Sequence, residues 1–235
     1  IRKIDAHLLN ELHLHDVLVK DQSKDSLLFV GELSLRLSDI LLFSSSATVN
    51  SLELKKVYAH IHPDKKNPVN YNFQFILDAF GGSSNSNDKN PAIQIKSIQL
   101  QDIRFFFDDL KGANYIGSLQ QGSFKFKKTD FNAQAINVEA LHLLGLNFNA
   151  NLAAKQSQTE KETEKTAAPT QPWVIELNNF LLEKSAVDIC QKGDSSDQSA
   201  IYVWKDIQVG IPHLYWNGDS LAAKMQHIQG ENAKG

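Results

Sequence analysis

The feature that most constrains this chain is a rhythm in its apolar residues: two spaced by one, a gap of two, then two more. Ile93, Ile95, Ile98, Leu100, Ile103 and Phe105 show it, and Ile136, Val138, Leu141, Leu143, Leu146 and Phe148 repeat it. Shorter forms run through Leu12, Leu14, Val17 and Val19, through Leu52, Leu54, Val57 and Ala59, and through Ile175, Leu177, Phe180 and Leu182. At about 100° per residue these offsets scatter around a helical wheel, so an amphipathic helix does not account for them. Within each pair the period is two, as a strand requires. The gap slips the phase by one residue, which in a regular strand sends the next pair to the opposite face. A β-bulge at the gap returns the apolar residues to one face and bends the strand. The alternative is a sheet crossover with apolar residues on both faces. The gap residues His15-Asp16, Lys55-Lys56, Gln101-Asp102, Leu144-Gly145 and Asn178-Asn179 are mostly polar or small, which suits the bulge.

Aligned on Asp16, Lys56, Asp102, Gly145 and Asn179, the units recur at intervals of roughly 40 residues, the mark of an array in which each unit buries its face against its neighbours. Further strands lie between them. Leu33, Leu35 and Leu37 alternate with Ser34, Arg36 and Ser38, Phe124 and Phe126 with Lys125 and Lys127, and Ile207, Val209 and Ile211 with Gln208 and Gly210. One polar and one apolar face per strand predict a half-solvated antiparallel sheet. One helix is predicted, over 72–80: Phe73, Ile76, Leu77 and Phe80 fall on one stripe, with Asn72 as N-cap and Gly81 as the stop. The fold class is therefore mainly β, an elongated repetitive sheet with one short helix.

Three stretches interrupt the pattern. The polar run 81–88 and the turn 193–197 read as loops, and residues 153–172, with Glu160-Lys161-Glu162-Thr163-Glu164-Lys165, hold no large apolar side chain and read as a disordered charged loop. Repeats thus occupy 1–152, with the helix inserted, and resume over 173–235. With 24 basic and 27 acidic side chains the net charge is −3, against the basic excess of a nucleic-acid binder. No run of about 18 apolar residues is present to span a bilayer. The chain opens on Ile1 and ends mid-pattern, so it reads as part of something longer, with room for a targeting or anchoring segment before Ile1.

Catalytic and metal chemistry finds little footing. The lone Cys190 rules out an internal disulfide and a multi-cysteine zinc site. His13-His15 and His60-His62 share a strand face at ligand spacing, but no carboxylate or cysteine is read at ligand spacing beside them, and they read as solvent-face residues. Asp108-Asp109 reads as a strand end rather than an acid–base pair, and Trp173, Trp204 and Trp216 as packing residues. No nucleophile elbow, phosphate loop or dinucleotide fingerprint occurs. No enzyme, no cofactor and no metal is expected.

The segment Tyr71-Asn72-Phe73-Gln74-Phe75-Ile76-Leu77-Asp78-Ala79-Phe80 resembles the N-F-Q-F-I-[IL]-D-A-F signature of TamB-like proteins of the AsmA-like superfamily. Leu12-His13-Leu14-His15-Asp16-Val17-Leu18-Val19-Lys20-Asp21-Gln22 is similar to the family's opening motif, as is Leu27-Leu28-Phe29-Val30. Ile98-Gln99-Leu100-Gln101-Asp102-Ile103-Arg104-Phe105 resembles its recurring unit. The likeness is best over 1–150. It implies a β-taco, a folded antiparallel sheet with an apolar groove, akin to chorein-type bridge-like lipid transfer proteins. It also implies a helix anchoring the protein in the bacterial inner membrane, a periplasmic body, phospholipid acyl chains as cargo, and an outer-membrane barrel of the TamA/Omp85 type as partner.

Pattern and resemblance together nominate a groove lining: Leu12, Leu14, Val17, Val19, Leu33, Leu35, Leu37, Leu52, Leu54, Val57, Ile98, Leu100, Ile103, Phe105, Leu119, Phe124, Phe126, Leu141, Leu143, Leu146 and Phe148. An uncovered apolar face asks for an occupant, and hydrocarbon needs no directional contact. The competing class is a scaffold whose sheet edges accept strands of outer-membrane proteins by augmentation; a β-helical polysaccharide enzyme lacks its carboxylate cluster. Phe73, Ile76, Leu77 and Phe80 form either a plug or a gate over the groove, hinged at Gly81-Gly82.

Overall fold

The computed structural model describes residues 1–7, 10–38, 46–76, 92–130, 133–152, 173–192, 199–218 and 220–232. The three predicted loops lie largely or wholly outside that set. Twelve strands form one open sheet: β1 (Lys3–His7), β2 (Glu11–Lys20), β3 (Ser26–Leu37), β4 (Ser46–Ile61), β5 (Ala92–Ile95), β6 (Ser97–Asp108), β7 (Asn114–Asp130), β8 (Ala135–Leu152), β9 (Val174–Lys192), β10 (Ser199–Trp216), β11 (Leu221–Lys224) and β12 (His227–Asn232). Their order is β1-β2-β3-β4-β6-β7-β8-β9-β10-β11, with β5 beside β4 and β12 beside β10.

The sheet is mixed, which corrects the all-antiparallel expectation. β4 pairs in parallel with β5 and β6, and β8 with β9. Hairpin connections give antiparallel neighbours, whereas β4 and β6, and β8 and β9, are separated by longer connections and run in the same direction. The result is a series of three-strand meanders, β2-β3-β4 and β6-β7-β8, then β9-β10 with β11 and β12 sharing the third place. Substantial contacts among the described strands run between ladder neighbours, with β5 against β7 the exception, so no second sheet packs on this one among the described residues.

The phase slip has a different origin from the expected bulge. From β2 to β8 the register is the same on both sides of the gap: His15 faces Glu32 and Val17 faces Val30, and Gln101 faces Gln121 where Ile103 faces Leu119. No strand carries an extra residue there. Instead Asp16, Lys56, Asp102 and Gly145 adopt left-handed backbone, with φ of 51°, 56°, 55° and 67°. Gly31 and Gln120 occupy the same level on β3 and β7. On β9 the residue beside Gly145 is Lys184, φ 49°, and not Asn179; Asn179, φ 50°, lies five residues earlier, beside Ala140. True irregularities appear at this level where β10 pairs, with β9 and with β12, around Asp206, φ 49°. The line of left-handed residues is a crease running across the strands.

The helix is described only in its first part. Residues 74–76 are helical after a turn at 72–73, while Leu77 and Phe80 lie outside the described residues. Asn72 is fully buried, and its side chain serves β4 rather than capping a helix: Nδ2 donates to His60 O at 3.0 Å and Oδ1 accepts His62 N at 3.3 Å.

Candidate functional site: a creased apolar face

Cross-strand register assembles the predicted lining into four apolar rows that cross the strands at right angles. The first is Leu12, Leu35, Leu52, Ile98, Phe124, Leu141, Phe180 and Ile211. The second begins at Ile4 and runs Leu14, Leu33, Leu54, Leu100, Gly122, Leu143, Leu182 and Val209 to Ile228, ten strands in one line. Beyond the crease come Val17, Val30, Val57, Ile103, Leu119 and Leu146. The fourth row is Val19, Leu28, Ala59, Phe105, Gly117, Phe148, Val187 and Trp204. Leu37 faces Val49 at the end of β3, and Phe126 faces Val138 beside Leu177, so every nominated lining residue has a place.

All four rows share one face, which removes the crossover alternative. A Cβ built on Gly122 would lie 2.9 Å from Leu119 Cδ2 and 3.3 Å from Leu143 Cδ2, so the second and third rows meet across the crease. A Cβ on Gly117 would lie 2.0 Å from Phe105 Cζ; the ring fills the place where β7 has no side chain. Phe105 then meets Phe148 at 6.3 Å between centroids. Burial is partial: Val30, Val57, Leu119, Leu182 and Ile211 are buried, and most row residues are half-exposed, as a single layer dictates. In the third row Ser185 replaces an apolar residue; it is fully buried, its Oγ accepting Leu146 N and donating to Glu183 O.

The opposite face is laced with cross-strand pairs, Arg36 to Glu11, Lys56 to Glu32, Lys125 to Glu139 and His142 to Glu183, and beyond the crease it also carries Leu18, Phe29, Tyr58, Phe106 and Ile116. Lys56 holds the Glu32 carboxyl below its ordinary range. A concavity of about 390 Å³ lies on this face, bordered by Glu53, Lys55, Gln99, Gln101, Gln121 and His142. His13, His15 and His60 sit on this side as expected, His13 bonded to Ser34 and His60 to Asp108 at 2.9 Å. His62 departs from that reading. Its side chain is 13% exposed, with Nε2 3.6 Å from the buried Asp21 carboxylate and Nδ1 2.8 Å from Pro63 O.

His62 belongs to a clasp between the β2–β3 turn and the segment 62–76. Lys65 pairs with Asp25 at 2.6 Å, which lowers the Asp25 pKa and raises that of Lys65, and Lys66 Nζ donates to Gln22 O. The clasp seats Tyr71 against Phe107 at 5.2 Å, with Phe73 stacked on Tyr71 at 5.8 Å. Phe107, Tyr115 and Phe148 continue the aromatic line across the sheet. Asp21, Asp25 and His62 bring three ligand-type atoms within 4.8 Å, but the Lys65 ammonium already occupies Asp25.

Sequence reasoning missed Val30, Leu28, Gly117, Gly122 and the β9–β10 ends of the rows. β3 carries the same slip in reverse order (Leu28, Val30, Leu33, Leu35), a signal that was available. The two glycines carry no hydropathy signal. Among the described residues no helix is long and apolar enough to cross a membrane. No family model, no curated protein and no solved structure matches the chain.

Proposed function

We propose that this chain is a section of a non-enzymatic lipid conduit, its creased face carrying phospholipid acyl chains between membranes. The observation that carries this reading is the in-register run of apolar rows on a face that, among the described residues, no second sheet covers and on which only the segment 62–76 is seated, at Phe107. Ridges along the rows repeat at the strand spacing of about 4.8 Å, closer than along a strand, so furrows between rows follow the sheet's long axis. Each buried methylene contributes about 0.8 kcal/mol without a directional contact. Total binding can then be strong while no single contact resists sliding. The setting follows from the resemblance to TamB-like proteins: a periplasmic body, an inner-membrane anchor outside this stretch, and an outer-membrane barrel of the TamA/Omp85 type. Native mass spectrometry of the purified chain is expected to show co-purifying phospholipid, lost in a Leu100→Asp, Phe105→Asp variant that stays folded by circular dichroism. Lipid-free protein, or unchanged lipid in the variant, refutes the reading.

A second reading draws on the edges. β1 covers only residues 11–15 of β2, and residues 221–232 on the far edge are exposed throughout. Open backbone of this kind accepts strands of unfolded outer-membrane proteins by augmentation. Prolines within 227–232 would abolish that activity, whereas the two aspartates would leave it intact.

A further inference from the structure

The crease is a line without ladder pairs. At the level of Asp16, Gly31, Lys56, Asp102, Gln120 and Gly145 the pairing is interrupted at every junction from β2 to β8, and it resumes on both sides in the same register. The interruption continues between β8 and β9, where Gly145 and Leu146 lie beside Lys184 and Ser185. Folding a sheet across its strands bends every strand, and a strand bends sharply only where its backbone leaves the extended region. Here the two leaves, one bearing the first two rows and the other the last two, are coupled by single residues of each strand. Those on β2, β4, β6, β8 and β9 sit in the left-handed well, a sparsely populated region for a side-chain-bearing residue. What holds the leaves together on the inner side is apolar contact, Leu119 leaning over Gly122 toward Leu143, which is non-directional and can re-form against hydrocarbon.

We propose that the crease is a hinge about which the two leaves swing to open the apolar face to its occupant. The occupant rests on the hydrocarbon reading above; the hinge does not. The test uses two spin-label pairs in a Cys190→Ser background. Lys125→Cys with Asn149→Cys spans the crease across nine residues of strand, about 30 Å, because Lys125 faces Ala140. Glu11→Cys with Lys125→Cys stays within one leaf, level across β2 to β7 and about 19 Å apart. Pulsed electron–electron resonance on the free chain should give a broader distribution for the spanning pair than for the within-leaf pair. Adding oleate should shift the spanning mean by several ångströms and leave the other unmoved. Equal widths in the free chain overturn the hinge, whether or not oleate binds. A broad spanning distribution with no oleate adduct in native mass spectrometry overturns the hydrocarbon reading and leaves the hinge standing. Bound oleate with an unmoved spanning distance overturns the coupling of hinge to occupant.

Discussion

Asp102 offers a direct measurement of what the crease costs. Its φ of 55° lies in the left-handed well, where a side chain crowds the following carbonyl by roughly 1–2 kcal/mol, less for Asp than for most residues. Replacement by Gly removes that crowding but adds about 0.5–1 kcal/mol of backbone entropy in the unfolded chain, so Asp102→Gly should fall within about 0.5 kcal/mol of the parent. Val brings two Cγ atoms into the same crowded turn, so Asp102→Val should lose about 2 kcal/mol. For a chain of this size that lowers the melting midpoint by about 4–8 °C. The adjacent Gln101 is equally exposed, yet it pairs with Gln121 in extended backbone. There the β-branched residue fits the pleat, and Gln101→Val should be neutral or stabilising by up to about 1 kcal/mol. Thermal unfolding followed by far-ultraviolet circular dichroism reads both. The ranking must invert between neighbouring residues, Gly above Val at 102 and Val above Gly at 101. Val tolerated equally at both positions would refute the crease as a backbone feature of the folded chain.

Gly117→Ala should destabilise by about 1–3 kcal/mol, since its Cβ falls inside the Phe105 ring; a Phe105→Leu, Gly117→Ala double variant should recover part of the loss in melting midpoint. Asn72→Ala leaves His60 O and His62 N without their partner and should cost about 1–3 kcal/mol, seen as faster limited proteolysis within 62–76. Asp25 titrates lower in the folded chain than its ordinary value of 3.8, so its contribution is present above that pH and is lost as pH falls through the lowered folded value. Lys65 titrates above 10.5, so its contribution is complete below that pH and is lost as pH rises through the raised folded value. Asp25→Asn should therefore flatten the acid limb of the stability curve, with no change if the clasp is not formed in solution.

The apolar rhythm carried most of the face because both its period-two pairs and its slip are local backbone facts. Four of the five residues on which the units align fall on the crease. Asn179 does not, because β9 holds two left-handed residues five apart, Asn179 and Lys184, and spacing alone cannot say which is level with Gly145. The bulge was the wrong device for a physical reason: a bulge is a property of two strands compared, and one strand's pattern looks the same whether its partner lacks the slip or shares it. Parallel pairing of β4 with β6 and β8 with β9 is equally invisible locally, since alternation records faces and not neighbours. Asn72 resembled an N-cap because a short polar residue before an apolar stripe usually is one; its amide was instead taken up by β4. His62 and Asp21, far apart in sequence, meet only through the register of the sheet.

The three-strand meander has an arithmetic consequence. An odd number of strands leaves the chain pointing as it entered, so a parallel junction follows and every meander begins in the same orientation. Each advances the sheet by three strand spacings, about 14 Å, and presents its rows and its crease at the same level as the last. Removal of β6, β7 and β8 would bring β4 beside β9, in parallel, with Leu52 and Leu54 abutting Phe180 and Leu182 and with Lys56 level with Lys184. Reach along the sheet is thus counted in whole meanders, and a chain built this way works as a ruler whose length evolution can alter by duplication without re-matching a single row.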